Sequence, residues 1–252
     1  MKSVVNFSGR MRVVGYCSGS GNTLWKALET QKEMERSGGC PYEIVGMFTD
    51  KPTGKCIAAA EKYGIQAACL DIEAFYAERG KPMKDMETRR EYDKACLPLI
   101  EAMKPDLILL AGYVWAVTDV VSGVYAMAGV HPGDLTIQKN GVRLLAGANG
   151  VKAAFRHNRP EVRASSYLVT NELDGGPILI TSPAVPVDYT LHSDEEERFR
   201  YYLKLVNEQN RLVAPRTLLE LAAGNFTVDG SGSYYYKGEL APLGVKLESW
   251  EE

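Results

Sequence analysis

Short apolar runs and amphipathic stretches alternate through the first half of the chain. Met11-Arg-Val-Val-Gly-Tyr16 is β-rich and predicts a strand. It stops at Cys17-Ser-Gly-Ser-Gly-Asn-Thr23, after which Leu24–Arg36 carries its apolar residues at helical spacing. Tyr42–Thr49 predicts a second strand, Cys56–Tyr63 a helix closed by Gly64, and Ile65–Leu70 a third strand. The charged segment Ala77–Arg90, with Gly80 and Pro82, predicts an exposed loop. Glu91–Lys104 predicts a helix that stops before Pro105, and Asp106–Leu110 a fully buried strand. Strands alternating with helices imply an α/β fold, with a parallel sheet covered on both faces and ligands at the carboxyl ends of its strands.

The texture changes after Pro132. Gly141–Gly150 is glycine-rich and Val151–Arg156 predicts a helix. Val162–Thr170 and Pro177–Val187 predict strands on either side of the turn Asn171-Glu-Leu-Asp-Gly-Gly176. His192–Glu220 predicts a long charged helix, capped at Ser193 and broken near Pro215, and Phe226–Leu240 a β-like tail. The expected organisation is one domain of two halves, 1–130 and 131–252.

Composition narrows the classes without choosing among them. At 252 residues, 45% apolar and 24% charged, the chain can bury a full core and is globular. A formal net charge of -3 argues against broad nucleic-acid binding. No apolar run is long enough to span a bilayer, and no signal core opens the chain. Five cysteines without Cys-x-x-Cys spacing suit free thiols in a reducing cytoplasm, and neither Cys40 nor Cys96 has an evident activating neighbourhood. His131, His157 and His192 are too scattered for a zinc set, so no metal is expected.

The chemistry concentrates in Ala128-Gly-Val-His-Pro-Gly-Asp-Leu135, expected as a turn carrying His131 and Asp134, and, well downstream, in Glu172-Leu-Asp-Gly-Gly-Pro177. An imidazole beside a carboxylate can do acid or electrophilic work, and His131 has two candidate partners, Asp134 and Asp174. Ser18-Gly-Ser-Gly-Asn-Thr23 opens a helix, where amides and dipole favour an anion; it also suits a plain tight turn. Leu24 stands where a dinucleotide fingerprint needs its third glycine, which disfavours a nicotinamide cofactor. Leu110–Val117 places Tyr113 and Trp115 past a strand end, either walling a flat ligand or packing under a loop.

These segments, taken in order with Ala60–Ile65, Lys104–Tyr113 and Val169–Leu179, resemble the folate-dependent formyltransferase family. The resemblance implies a mostly parallel Rossmann-like sheet with a smaller, distinct carboxyl-terminal half. It implies transfer of the formyl group of 10-formyltetrahydrofolate to a small amine. Glycinamide ribonucleotide, in purine synthesis, comes first because the phosphate turn is retained, and oligomeric state is left open. In the family an asparagine and a histidine donate to the developing oxyanion, and an aspartate supports the histidine. His131 and Asp174 match the last two roles. Ser20, Gly21, Asn22 and Thr23 match the acceptor's phosphate loop. Val114, Trp115 and Val117 match the pterin pocket, and Thr170, Asn171, Glu172 and Leu173 the folate loop.

Gly129 stands where the family has its asparagine, and loss of such a donor costs about 2.7–4 kcal/mol in barrier. Asn140 and Asn149 are the sequence's candidates to replace it. Ala146–Gly150 and Val162–Ser165 also depart from the family's acceptor pocket. Two alternatives follow from these departures, a diverged folate-binding relative without turnover and a formyltetrahydrofolate hydrolase.

Overall fold

Four short apolar runs form the parallel sheet of the first half. In a computed structural model describing residues 1–147 and 149–251, Leu107–Leu110, Met11–Cys17, Tyr42–Thr49 and Gln66–Cys69 lie side by side in that order, all parallel. Their side chains are mostly buried on both faces in the two central strands, which is why those runs are continuously apolar rather than alternating. The connecting helices are Asn22–Arg36, Lys55–Tyr63, Ile72–Glu78 and Met86–Glu101. The fold is α/β.

Contacts divide the chain into two compact units, Val5–Ala128 and Met1–Val4 with Gly129–Glu252. The second unit is mixed. Ser165–Leu168 pairs antiparallel with Ile178–Thr181, which pairs parallel with Val245–Lys246. Behind the first pair lies the helix Glu195–Ala222, where Thr217 Oγ1 meets Ser166 Oγ at 2.6 Å. Lys2–Ser3, Phe226–Val228, Tyr234–Tyr236 and Glu239–Leu240 make a small antiparallel sheet. Among the described residues, no helix is long and apolar enough to cross a membrane.

Four local expectations are corrected. The expected loop over Ala77–Arg90 contains the end of one helix and the start of another, because Asp71 and Asp85 cap them through their side chains. The second helix, expected to start at Glu91 and run to Lys104, covers Met86–Glu101 with Pro98 inside it. The long helix is capped by Asp194, not Ser193, and runs unbroken through the buried Pro215. His131 ends a strand, Ala126–His131, rather than sitting in a turn.

Candidate active site

The strand Ala126–His131 carries His131 into the protein at its last position, where the side chain is 5% exposed. Gly133 and Gly150 make that possible. A Cβ on either would come within 2.8 Å and 2.9 Å of the ring's Nε2. Nε2 lies 2.7 Å from the carbonyl oxygen of Leu145, which fixes it as the protonated nitrogen. Nδ1 faces Oδ2 of Asp174 at 3.3 Å. Between the two candidate carboxylates the geometry is unambiguous. Asp134, also buried, turns back to accept from the amide and hydroxyl of Thr136.

Asp174 is held as firmly as the histidine. It has a positive φ of 51°, a conformation that Asp tolerates better than most residues. Its Oδ2 accepts from the amide of Gly147 at 2.7 Å and its Oδ1 from the Tyr167 hydroxyl at 2.8 Å. The guanidinium of Arg143 donates to the carbonyls of Asp174 and Gly176, tying down the backbone of the Asp-Gly-Gly turn. Burial holds the His131 imidazole below its ordinary range, against the opposing pull of Asp174 and the Leu145 carbonyl. Burial, reinforced by Asp174, pushes the Tyr167 phenol up, so it remains a donor at neutral pH. A proton arriving at Nδ1 of His131 would find a carboxylate oxygen waiting.

The other expected residues are distributed over the two units. Gly21 caps the helix Asn22–Arg36 in a left-handed conformation, with φ 68°, and no side chain caps that first turn. Its amides can therefore serve an outside acceptor. Ser20 and Asn22 are exposed and Thr23 is half-buried. Val114 is 69% exposed. Trp115 and Val117 are half-buried, with Nε1 of Trp115 donating to Oδ2 of Asp50 at 2.8 Å. In the Gly129–Glu252 unit, Thr170, Asn171 and Glu172 are exposed, and Leu173 is 69% exposed. Asn140 and Asn149 are both exposed. Ala148, within the altered stretch Ala146–Gly150, lies outside the described residues.

Sequence reasoning missed Leu145, Arg143, Tyr167, Asp50 and Arg89. The first acts through its backbone, and the others depend on tertiary neighbours. Only the paired glycines at 133 and 150 hint that a large ring is packed there. The five cysteines are free, and burial pushes the Cys40 and Cys96 thiols up, away from nucleophilic character. Among the described residues, no group of three or more His, Cys, Asp or Glu side chains is placed to hold a metal.

Within the Gly129–Glu252 unit, the histidine–aspartate pair is buried among glycine-rich turns. A model of the formyl transferase family matches residues 11–201, and the chain belongs to that family. It is similar to the phosphoribosylglycinamide formyltransferase of Escherichia coli, 23% identical over 94% of this chain and 100% of that one. It is also similar to the formyltetrahydrofolate deformylase of Bacillus subtilis, 36% identical over 44% of this chain and 33% of that one. Its fold is shared with a phosphoribosylglycinamide formyltransferase from Coxiella burnetii, at TM-score 0.73 and 20% identity, covering 94% of this chain and 99% of that one.

Proposed function

We propose that this protein transfers a formyl group from 10-formyltetrahydrofolate to a small amine, with glycinamide ribonucleotide the first acceptor to test. The observation that carries the reading is the buried contact of 3.3 Å between His131 Nδ1 and Asp174 Oδ2. The donor, when bound, supplies an electrophilic formyl carbon whose oxygen gathers negative charge under attack. His131 meets that charge with its Nε2 proton, which requires the formyl oxygen to take the place of the Leu145 carbonyl. The proton that the attacking amine sheds can be taken up at Nδ1, making the ring an imidazolium. Asp174 Oδ2, already facing Nδ1, stabilises that charge until a proton passes to the departing tetrahydrofolate nitrogen. The uncapped first turn at Asn22 suits a phosphate on the acceptor.

A second reading is favoured by one observation. The Nε2 proton is already spent on the Leu145 carbonyl, as it would be in a folate-binding relative without turnover. Water as the acceptor gives the third outcome, hydrolysis. One assay separates them: purified protein with 10-formyltetrahydrofolate, with and without a panel of amines, following tetrahydrofolate release and formyl-amine formation. Amine-dependent release, lost in His131→Ala and in Asp174→Asn, is expected. Release without amine identifies a hydrolase, and saturable binding without release identifies the non-catalytic relative. Wild-type turnover in either variant overturns the site assignment.

A further inference from the structure

Gly129 precedes His131 by two residues on the same strand and so faces the same side of it. A Cβ at this position would lie 2.7 Å from Cζ and 2.8 Å from Oη of Tyr167. No side chain can extend there while the phenol is in place. Tyr167 belongs to the strand Ser165–Leu168, and alternation sends its ring and Ser165 to one face while Ser166 meets the long helix. The pairing with Ile178–Thr181 shifts register between Ser165 and Tyr167, an irregularity of the kind that re-aims a side chain beside a site. The ring packs in a small apolar cluster with Leu135 and Ile178 and is 7% exposed. Its hydroxyl donates to Oδ1 of Asp174, while Oδ2 of the same carboxylate faces His131.

Resting on the formyl-transfer reading above, we propose that Tyr167 is a positioning residue which occupies the space an asparagine at 129 would need and locks Asp174 against His131. The loss of the side chain at 129 and the gain of the phenol are then one exchange. The hydroxyl has one proton, and it is committed to Oδ1, so Tyr167 acts through Asp174 and does not touch the reacting atoms. What the site loses in direct donation at 129 it gains in the fixed orientation of its carboxylate.

Tyr167→Phe removes the hydroxyl and keeps the ring. Turnover falls about tenfold, the worth of one hydrogen bond to a charged group, with KM for the folate unchanged. The readout independent of turnover is the ring-proton titration of His131, one of three histidines, assigned by its absence in His131→Gln. Without the phenolic proton on Oδ1, the carboxylate's charge bears more fully on Nδ1, and the midpoint of His131 rises. Gly129→Asn in the presence of Tyr167 lowers the Tm. Combined with Tyr167→Ala it folds, and its turnover exceeds that of Tyr167→Ala alone. An unchanged His131 midpoint in Tyr167→Phe, or a Gly129→Asn variant with wild-type Tm, overturns the proposal. If the wild type transfers no formyl group to any amine, the functional reading fails, while the titration and the Tm still decide the role of Tyr167.

Discussion

Around His131, the polar atoms that chemistry would use are paired inside the protein, whereas around Trp115 some buried ones are not. In the Gly129–Glu252 unit, both ring nitrogens of His131 face oxygens and both carboxylate oxygens of Asp174 accept hydrogen bonds. In the Val5–Ala128 unit, Arg89 is buried under the ring of Trp115, its Cζ 4.9 Å from the centroid. Asp50 Oδ1 and Arg89 Nη1 beside it, and Tyr16 Oη of the same unit, are buried without a hydrogen-bond partner among the described residues. An unpaired buried polar group costs about 1–3 kcal/mol. The first region is thus paired internally, whereas the second carries buried polar atoms with no partner among the described residues.

Breaking the paired region has the largest expected effect. Asp174→Ala removes the acceptor of Tyr167 Oη and of the Gly147 amide and strips His131 of its carboxylate. With two donors orphaned at about 1–3 kcal/mol each, a loss of about 2–6 kcal/mol is expected in urea unfolding. Turnover should fall by a hundredfold or more in the same variant. A protein with its stability intact would mean that water replaces the carboxylate, and the claim of a fully paired site would fail.

Filling the space beside Tyr167 comes next. Gly129→Ala forces a methyl group to within 2.7 Å of the phenol, and overpacking of this kind costs about 1–3 kcal/mol. Thermal unfolding reads it directly. The corresponding change in the second region should be smaller. Asp50→Asn keeps an acceptor for Trp115 Nε1 and removes a carboxylate whose other oxygen has no partner. Stability should move by about 1 kcal/mol or less, while affinity for 10-formyltetrahydrofolate, measured by calorimetry, changes more. A large stability loss with unchanged affinity would make Asp50 a structural residue and erase the contrast.

Much of this contrast was legible in the chain, and the illegible part has a physical reason. The parallel strands announce themselves as continuous apolar runs because both their faces are covered, as in Val13, Val14 and Leu107–Leu109. Asp174 is legible only as one of two candidate partners of His131, matched to the supporting aspartate by the family resemblance, because spacing alone leaves Asp134 equally open. The helix from Met86 was hidden by Gly80, Pro82 and a dense run of charge, which read as a loop until Asp85 is seen to cap it. Pro215 would break an exposed helix, yet the long helix continues through it with Val213, Ala214 and Leu218 buried around it, packing that outweighs one missing hydrogen bond. Tyr167 and the Leu145 carbonyl could not be read at all. Their partners are set by how separate segments meet, and a backbone carbonyl leaves no mark in sequence.

The smallest expected effect concerns pH, and it gives the two regions opposite signs. Burial keeps His131 below the ordinary histidine range in the folded protein. In the unfolded chain its ring takes a proton near pH 6.5, about the reference value. Between the folded and unfolded midpoints the unfolded state holds more protons, so unfolding free energy rises with pH through that window and levels above about 6.5. Asp93, in the other unit, is pushed above the ordinary aspartate value of 3.8 by burial, against the hydrogen bonds it accepts from Thr118. There the folded state holds the extra proton, and stability falls as pH rises from about 3.8 through the raised midpoint. His131→Gln removes the first slope and leaves the second. Urea midpoints of the two proteins should therefore draw apart as pH rises from the lowered folded midpoint toward about 6.5, the wild type gaining relative to the variant. Parallel curves would show that Asp174 and the Leu145 carbonyl offset the burial of the ring, making the imidazolium as welcome in the folded protein as in water.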